Sequence, residues 1–275
     1  MGHCAYSVEE DGVAEFETIK YGIHDGLATI ELARSDKLNA MSAQMFTELG
    51  DAAERAAADP GIRVVLVKGQ GRAFSAGIDV LLLGQLAGTR GARFRAFVKT
   101  AQRPYLLLAS MEKPTVAAIH GHALGSGFQL ALACDLRIAA EDTRFSMLEV
   151  RFGLIPDLGG LHRLARQAGS GVAKEIAWTG RDVDVEEAAR IGIVNRIVPA
   201  ITLDEQAEAY ARELVASPPI PVALTKSLIN RALETPFETS LEHQAQAQAA
   251  CIASEDHREA VEAYLEKRPP RFTGR

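Results

Sequence analysis

Four short segments of the chain carry residues whose types and spacing could support chemistry. Residues 71–79 and 120–129 are rich in glycine, and each follows a short apolar run. Glycine lets the backbone approach a ligand closely, and amides at the start of a helix favour a bound anion. The other two segments contribute Glu149 and Asp157, whose carboxyl groups could exchange protons.

Each of these features also has a purely structural interpretation. The glycine-rich segments could be tight connections between a strand and a helix. Glu149 could form a surface salt bridge, and Asp157 could cap a helix that begins just after it. The residue types alone therefore leave both interpretations open.

Rival catalytic motifs in the sequence are incomplete. Residues 69–71 read Gly-Gln-Gly after a predicted strand, as in dinucleotide-binding loops, but Phe74 stands where the third glycine is needed. Ser75 and Ser126 both lie outside the GxSxG pattern of serine hydrolases. Neither a dinucleotide site nor a serine nucleophile is expected.

The composition excludes several other classes of protein. The 275 residues carry a net charge of −6 with a pI near 5.7, and no Lys/Arg block alternates with aromatic residues, so nucleic-acid binding is not expected. No apolar stretch reaches the roughly 18 residues of a membrane-spanning helix. Residues 1–15 are expected to form an irregular leader without the apolar core of a secretory signal.

Cysteine and histidine spacing predicts no metal site. Cys4, Cys134 and Cys251 are far apart and form neither a CxxC pair nor a zinc-binding pattern, which favours a reducing, cytoplasmic location. His120 and His122 lack a nearby acidic or cysteine ligand that would complete a metal set.

These residues must be positioned by an alternation of buried strands and helices. Ser42 precedes a helical pattern that should end near Asp59. Strand, glycine-rich turn, helix and strand in succession are typical of an α/β fold. Residues 80–104 read mostly as loop and amphipathic helix. Residues 203–265 read as long helical stretches that are interrupted only at Ser217–Pro221 and Pro236. The predicted strands are a pair within 21–32 and buried runs at 64–67, 114–119 and 136–139, and a buried helix is predicted at 128–133.

The order of these motifs resembles the enoyl-CoA hydratase/isomerase (crotonase) superfamily over roughly residues 16–272. The resemblance rests on several elements in the family's order and spacing, because any one of them alone would be weak. They are LNAM (38–41), AFSAGID (73–79), HGHALGSG (120–127), ACDLRIAAEDTRF (133–145), GLIPDLGG (153–160), Thr179-Gly180, AARIGIVNRIV (188–198) and EKR (266–268).

The resemblance implies a fold and an assembly. The fold is a crotonase-like α/β spiral of repeated strand–strand–helix units over residues 16–200. Residues 201–275 would form a helical region through which subunits associate as a homotrimer or a dimer of trimers.

The resemblance also implies the chemistry of the glycine-rich segments. Reactions of enoyl-CoA thioesters pass through an enolate, in which negative charge develops on the thioester oxygen. Two preorganised N–H donors aimed at that oxygen stabilise the charge. In this sequence the implied donors are the backbone amides of Ile78 and Ser126.

The implied acid/base positions are Gln129, Glu149 and Asp157. Ordinary hydratases carry glutamate at the first two positions, whereas this chain has Gln129, which cannot transfer a proton. Glu149 keeps the second position, and Asp157 adds a carboxylate that related isomerases carry. The expected activity is therefore double-bond isomerisation, with addition of water to 2-enoyl-CoA as the close alternative.

Coenzyme A would be bound as part of the substrate, so no separate cofactor is expected. A leucine, Leu81, replaces the lysine that often follows the AGxD motif. The alternative from another class is a non-catalytic binding protein on the same fold. The implied CoA contacts are Lys37, Ala76 and Asp79, together with Tyr264 and Lys267 from a neighbouring subunit.

Overall fold

Nine strands and eleven α-helices span the part of the chain that the structure, a computed structural model, describes, namely residues 16–275. The leader expected over residues 1–15 lies outside the described residues. The strands are β1 (Ile19–His24), β2 (Leu27–Leu32), β3 (Val64–Gly69), β4 (Thr115–Ile119), β5 (His122–Leu124), β6 (Leu136–Ala140), β7 (Arg144–Ser146), β8 (Val183–Asp184) and β9 (Arg196–Val198). The helices are α1 (Ala43–Ala58), α2 (Val80–Leu86), α3 (Gly91–Ser110), α4 (Ser126–Ala133), α5 (Gly160–Ala168), α6 (Ser170–Thr179), α7 (Val185–Arg190), α8 (Leu203–Val215), α9 (Pro219–Arg231), α10 (Phe237–Ala253) and α11 (Glu255–Glu266).

The strands form two sheets. Six strands build the main sheet in the order β1-β2-β3-β4-β6-β9, with every neighbouring pair parallel except the β1–β2 hairpin. Strands β5, β7 and β8 form a second, smaller sheet. After β4 and again after β6 the chain steps to the second sheet before its next helix. This repeated step confirms the predicted α/β fold of strand–strand–helix units.

The main sheet is buried on both faces. Strand β4 and the first four residues of β3 are fully buried, which explains their uninterrupted apolar sequences. One face packs into the large core with α1, α3 and α4. The other face packs against α8 through Leu203, Ala207 and Ala211.

Helix α1 begins and ends where the sequence predicts. The hydroxyl of Ser42 accepts a hydrogen bond from the amide of Met45 at 3.1 Å, so Ser42 caps the helix. Asp59 is its C-terminal cap. The helix buries the apolar face that the sequence period marked.

The segment predicted over 80–104 as mostly loop and amphipathic helix is more helical than expected. It contains α2 and most of α3, which continues to Ser110 with Pro104 inside it. A proline removes one backbone hydrogen bond within a helix. Core packing of Ala101, Tyr105 and Leu108 on the same helix face offsets that loss.

The C-terminal helices differ in how they pack. Helix α8 belongs to the core of the main sheet, whereas α9 and α10 contain no buried residue. Exposed apolar side chains on and beside α9 and α10 include Ile229, Leu233 and Phe237. Helix α8 lies beyond residue 200 and still covers the main sheet. The boundary expected at residue 200 between the spiral core and the helical region therefore stays a prediction.

Two further observations concern membrane-spanning helices and the state of the cysteines. Among residues 16–275, no helix combines the length and apolar character needed to cross a membrane. The two cysteines within this range, Cys134 and Cys251, are free thiols.

Candidate active site

The two glycine-rich segments lie side by side because Ser75 ties them together. The amide of Ser75 donates to the carbonyl of His122, and the amide of Leu124 donates to the carbonyl of Ser75, both at 2.9 Å. The fully buried Ser75 hydroxyl donates to the carbonyl of Asn39 at 2.8 Å and accepts from the amide of Gly77 at 3.2 Å. The segment that carries Ile78 is therefore held against β5.

Gly77 makes this close approach possible. Its φ of +94° lies in the region that favours glycine, and a Cβ atom there would lie 2.9 Å from the carbonyl oxygen of Leu124. Gly125, with φ of +49°, follows on the facing segment and donates its amide to the carbonyl of Ser146 at 2.8 Å. The backbone before Ile78 thus contacts the backbone before Ser126.

The amides of Ile78 and Ser126 are free to bind a ligand. The amide of Met41 donates to the carbonyl of Gly77, and the carbonyl of Met41 accepts from the amide of Asp79. Because Met41 pairs with the residues on either side of Ile78, the amide of Ile78 points away from Met41. Ser126 is the first residue of α4, where an amide has no partner within the helix. Neither amide finds an acceptor among residues 16–275.

Gln129 is buried on α4 and connects the two acid-bearing segments. Its side-chain Nε2 donates to Oε1 of Glu149 at 2.7 Å. Its Oε1 accepts from the amides of Leu158 and Gly160 at 2.9 and 3.1 Å. Both acceptor sites of Oε1 and one N–H of Nε2 are therefore engaged within the protein.

Glu149 is half-buried in a short 3₁₀ helix, Leu148–Phe152. Burial raises the pKa of its carboxyl group, and the charge of Asp157 raises it further, while the hydrogen bond from Gln129 opposes this shift. The second oxygen, Oε2, is buried and has no hydrogen-bond partner among the described residues. This carboxyl group can hold a proton closer to neutrality than a solvated glutamate.

Asp157 lies in the turn before α5 and is exposed to solvent. Partial burial raises the pKa of its carboxyl group, although its exposure limits the size of this effect. The cap of α5 is Gly159 and uses no side chain, so Asp157 does not cap that helix. Its charge acts on Glu149, so the two carboxyl groups influence each other across the turn.

Sequence reasoning missed Tyr105, which supports the second amide donor from α3. The fully buried Tyr105 hydroxyl donates to the carbonyl of Ser126 at 3.1 Å, and burial raises its pKa. Arg163 donates to the carbonyls of Tyr105 and Leu158, both at 3.1 Å. No local motif marks Tyr105, because its partner lies 21 residues further along the chain.

Of the residues expected to contact CoA near the site, Lys37 is exposed to solvent, whereas Asp79 and Ala76 form hydrogen bonds within the protein. Lys37 is exposed, and its charge helps to lower the pKa of Asp79. The carboxylate of Asp79 accepts from Arg34 at 3.0 Å and from the amide of Leu81 at 3.0 Å, so it caps α2. The amide of Ala76 donates to a neighbouring carbonyl at 2.8 Å. Asp79 is thus engaged in holding its own loop.

The two C-terminal candidates lie at the end of α11. Tyr264 is 84% exposed, and Lys267 is exposed at the C-cap of the helix with a φ of +57°. Neither side chain has a hydrogen bond or ion pair with another residue of the described chain. Within one subunit they are available for contacts with other molecules.

No group of side chains in the described part of the chain could hold a metal ion. The candidate site consists of two backbone amides, one half-buried carboxyl group, a second exposed carboxyl group and the glutamine between them. Such an arrangement can stabilise a developing oxyanion and move a proton beside it.

Comparisons with known proteins identify the family. Residues 22–275 match the family model described as enoyl-CoA hydratase/isomerase. The chain is 33% identical to a crotonyl-CoA hydratase of Syntrophomonas wolfei, over 94% of this chain and 98% of that protein. It is 32% identical to a short-chain-enoyl-CoA hydratase of Clostridium acetobutylicum, over 88% of this chain and 92% of that protein.

Solved structures agree with this result. An enoyl-CoA hydratase from Bacillus anthracis superposes with a TM-score of 0.88 at 33% identity, and the match covers 94% of this chain and all of that one. Because the family model and the curated relatives span nearly the whole chain, this protein belongs to the enoyl-CoA hydratase/isomerase family and is an enzyme of it.

Proposed function

We propose that the enzyme acts on enoyl-CoA thioesters through an enolate, and that its main reaction is migration of the double bond. The observation that carries this proposal is the engagement of Gln129. Its side chain has no acidic proton to transfer, and its Oε1 already accepts from two backbone amides, so it does not replace a glutamate that accepts a hydrogen bond from water. Glu149, whose carboxyl group is half-buried, then exchanges protons with the acyl chain, and Asp157 is the second carboxyl group available for this role.

In this mechanism the amides of Ile78 and Ser126 bind the thioester oxygen. Glu149 removes a proton from the α-carbon of a 3-enoyl thioester, and the electron pair moves onto the thioester oxygen. Protonation of the γ-carbon, by Glu149 or Asp157, shifts the double bond to the 2-position. The proton count balances, because one proton leaves the substrate and one returns.

A product analysis tests this assignment. We expect the wild type to interconvert 3-enoyl or dienoyl substrates with their isomers faster than it adds water to 2-enoyl-CoA. We expect Asp157→Asn to lower isomerisation selectively by about ten-fold or more, less than the roughly 10² for loss of a sole acid/base group, because Glu149 remains in place. Asp142→Asn, at an exposed turn position, is the matched control.

Hydration of 2-enoyl-CoA is the second candidate, favoured by the names of the curated relatives. In that case Glu149 would activate water and return its proton at the α-carbon. A wild type that hydrates 2-enoyl-CoA rapidly and leaves 3-enoyl and dienoyl substrates unchanged would refute isomerisation as the main reaction.

We further propose that CoA is held at a subunit boundary within a homotrimer or dimer of trimers. Lys37 and the backbone near Ala76 would contact CoA in one subunit, with Asp79 holding that loop through Arg34. A second subunit would contribute residues from the end of α11. The exposed apolar side chains of α9 and α10 support this assembly, because they are left uncovered in one chain.

CoA affinity is therefore expected to depend on protein concentration. Tyr264 and Lys267 reach the nucleotide only when a neighbour is present, so dilution below the dissociation constant of the oligomer should weaken CoA binding. Calorimetry across a dilution series, with mass photometry to count subunits, measures this directly. A monomer with undiminished CoA affinity would contradict the proposal.

A further inference from the structure

We infer that Gln129 is a positioning residue that fixes the orientation of the Glu149 carboxyl group and directs its proton to Oε2. This inference rests on the proposed role of Glu149 and adds the reason for a glutamine at this position. In this role Gln129 acts through Glu149, since its Nε2 donates to Oε1 of that carboxyl group.

The orientation of the Gln129 amide follows from its partners. Two backbone N–H groups, those of Leu158 and Gly160, point at one end of the amide and require an acceptor there. The carbonyl oxygen must occupy that end, so the NH₂ group faces Glu149. Gly160 keeps this arrangement tight, because a Cβ atom there would lie 2.5 Å from Cγ of Gln129.

The NH₂ group then distinguishes the two oxygens of Glu149. Oε1 accepts its hydrogen bond at 2.7 Å, which stabilises negative charge on that atom. Oε2 has no partner among the described residues. A proton that arrives at Glu149 is therefore expected on Oε2, and the carboxyl group cannot rotate without breaking the bond from Gln129.

Gln129 also links the position of Glu149 to that of Asp157. The amides it binds belong to the turn that immediately follows Asp157, and that turn leads into α5. One side chain thus fixes a carboxyl oxygen on one segment and the backbone beside the second carboxyl group on another. A hydrocarbon side chain of similar size could do neither.

Gln129→Glu isolates the donated hydrogen bond. One oxygen of the new carboxylate can still accept from the amides of Leu158 and Gly160, so only donation to Glu149 is lost. The other oxygen then faces Oε1 of Glu149 at hydrogen-bonding distance, where two carboxylates share one proton. The shared proton takes the place of the glutamine N–H group.

The pair in this variant is expected to lose that proton as the pH rises. The apparent pKa of the pair in the folded state is raised above the unfolded value. The contribution of the pair to stability is therefore present at low pH and is lost as the pH rises through that raised pKa. Asp157 on the turn adds a further negative charge that favours protonation. The buried Tyr105 from α3 stays neutral, and Arg163 from α5 bonds to backbone carbonyls nearby.

The test is the pH–rate profile of Gln129→Glu on whichever enoyl-CoA reaction the wild type catalyses. We expect the loss of activity relative to the wild type to be smallest at low pH, where the pair holds one proton. A new alkaline limb, with at least ten-fold loss, should appear where the wild type stays active, and the melting temperature should fall over the same pH range. A profile that coincides with the wild type at every pH would overturn the inference.

A second variant covers the case in which Gln129→Glu does not fold. The double variant Gln129→Glu/Glu149→Gln restores the hydrogen bond with donor and acceptor exchanged. We expect it to melt near the wild-type temperature but to show the low activity of Glu149→Gln. If the double variant folds and Gln129→Glu does not, the result supports repulsion between the two carboxylates at this contact. Failure of both variants to fold overturns the inference. A wild type without isomerase activity would refute the proposed reaction while leaving this comparison intact.

Discussion

Replacing Glu149 with glutamine is expected to reduce turnover by at least about 10², the usual scale of general acid/base catalysis. Glutamine keeps the shape of the side chain and can still accept the hydrogen bond from Gln129, but it cannot exchange a proton. Asp157 is exposed and lies on a different segment, so it does not substitute fully. The measurement is kcat on a substrate that the wild type accepts.

The loss should come from chemistry rather than from unfolding. Burial raises the pKa of Glu149 in the folded protein, so ionisation of this group lowers stability as the pH rises above its unfolded value. A neutral glutamine removes that cost, and the melting temperature at neutral pH should be maintained. Glu141→Gln, at an exposed position after β6, is the matched control.

The pH dependence provides a second measurement for the same residue. As a base, Glu149 must be ionised, so the rate should rise with pH through its raised pKa. The residual activity of Glu149→Gln should lack this limb. A variant with near-normal turnover and an unchanged profile would exclude Glu149 as the proton-transferring group.

The elements of the fold that could be predicted are those with a local physical cause. Parallel strands buried on both faces, such as β3 and β4, require uninterrupted apolar runs, and α1 carries its own N-cap. Strands β5 and β7 are only three residues long and lie within glycine-rich or polar sequence, so they give no periodic signal. Pro104 interrupts the helical pattern of α3 in the sequence, and packing of the helix in the core offsets the hydrogen bond that the proline removes.

The functional residues could be named from the order of motifs, but their connections could not. The bond from Gln129 to Glu149 spans 20 positions of the chain, and that from Arg34 to Asp79 spans 45. Neither pair has a helical or strand spacing that would mark it in the sequence. The carboxylate of Asp79 binds Arg34 and caps α2, and the contact with CoA implied by the family resemblance stays a prediction.

Gly77→Ala is expected to lower kcat/KM by about 10² or more, the scale of losing one oxyanion-hole donor. An added Cβ atom would lie 2.9 Å from the carbonyl oxygen of Leu124. That carbonyl cannot move aside freely, because the amide of Gly125, in the same peptide plane, is bonded to the carbonyl of Ser146. The strain should therefore separate the segment of Ile78 from the segment of Ser126 and misalign their amides.

Gly88→Ala is the matched control, because it should show the strain of the backbone conformation without a steric contact of the added Cβ atom. Gly88 has a φ of +79°, in the same region as Gly77, yet an added Cβ atom there meets nothing within 4 Å. Both variants incur the strain of a left-handed alanine, about 1–2 kcal/mol. Only Gly77→Ala should lose transition-state stabilisation beyond its loss of stability. Equal effects of the two substitutions on kcat/KM would mean that contact between the two glycine-rich segments does not set the geometry of the amide donors.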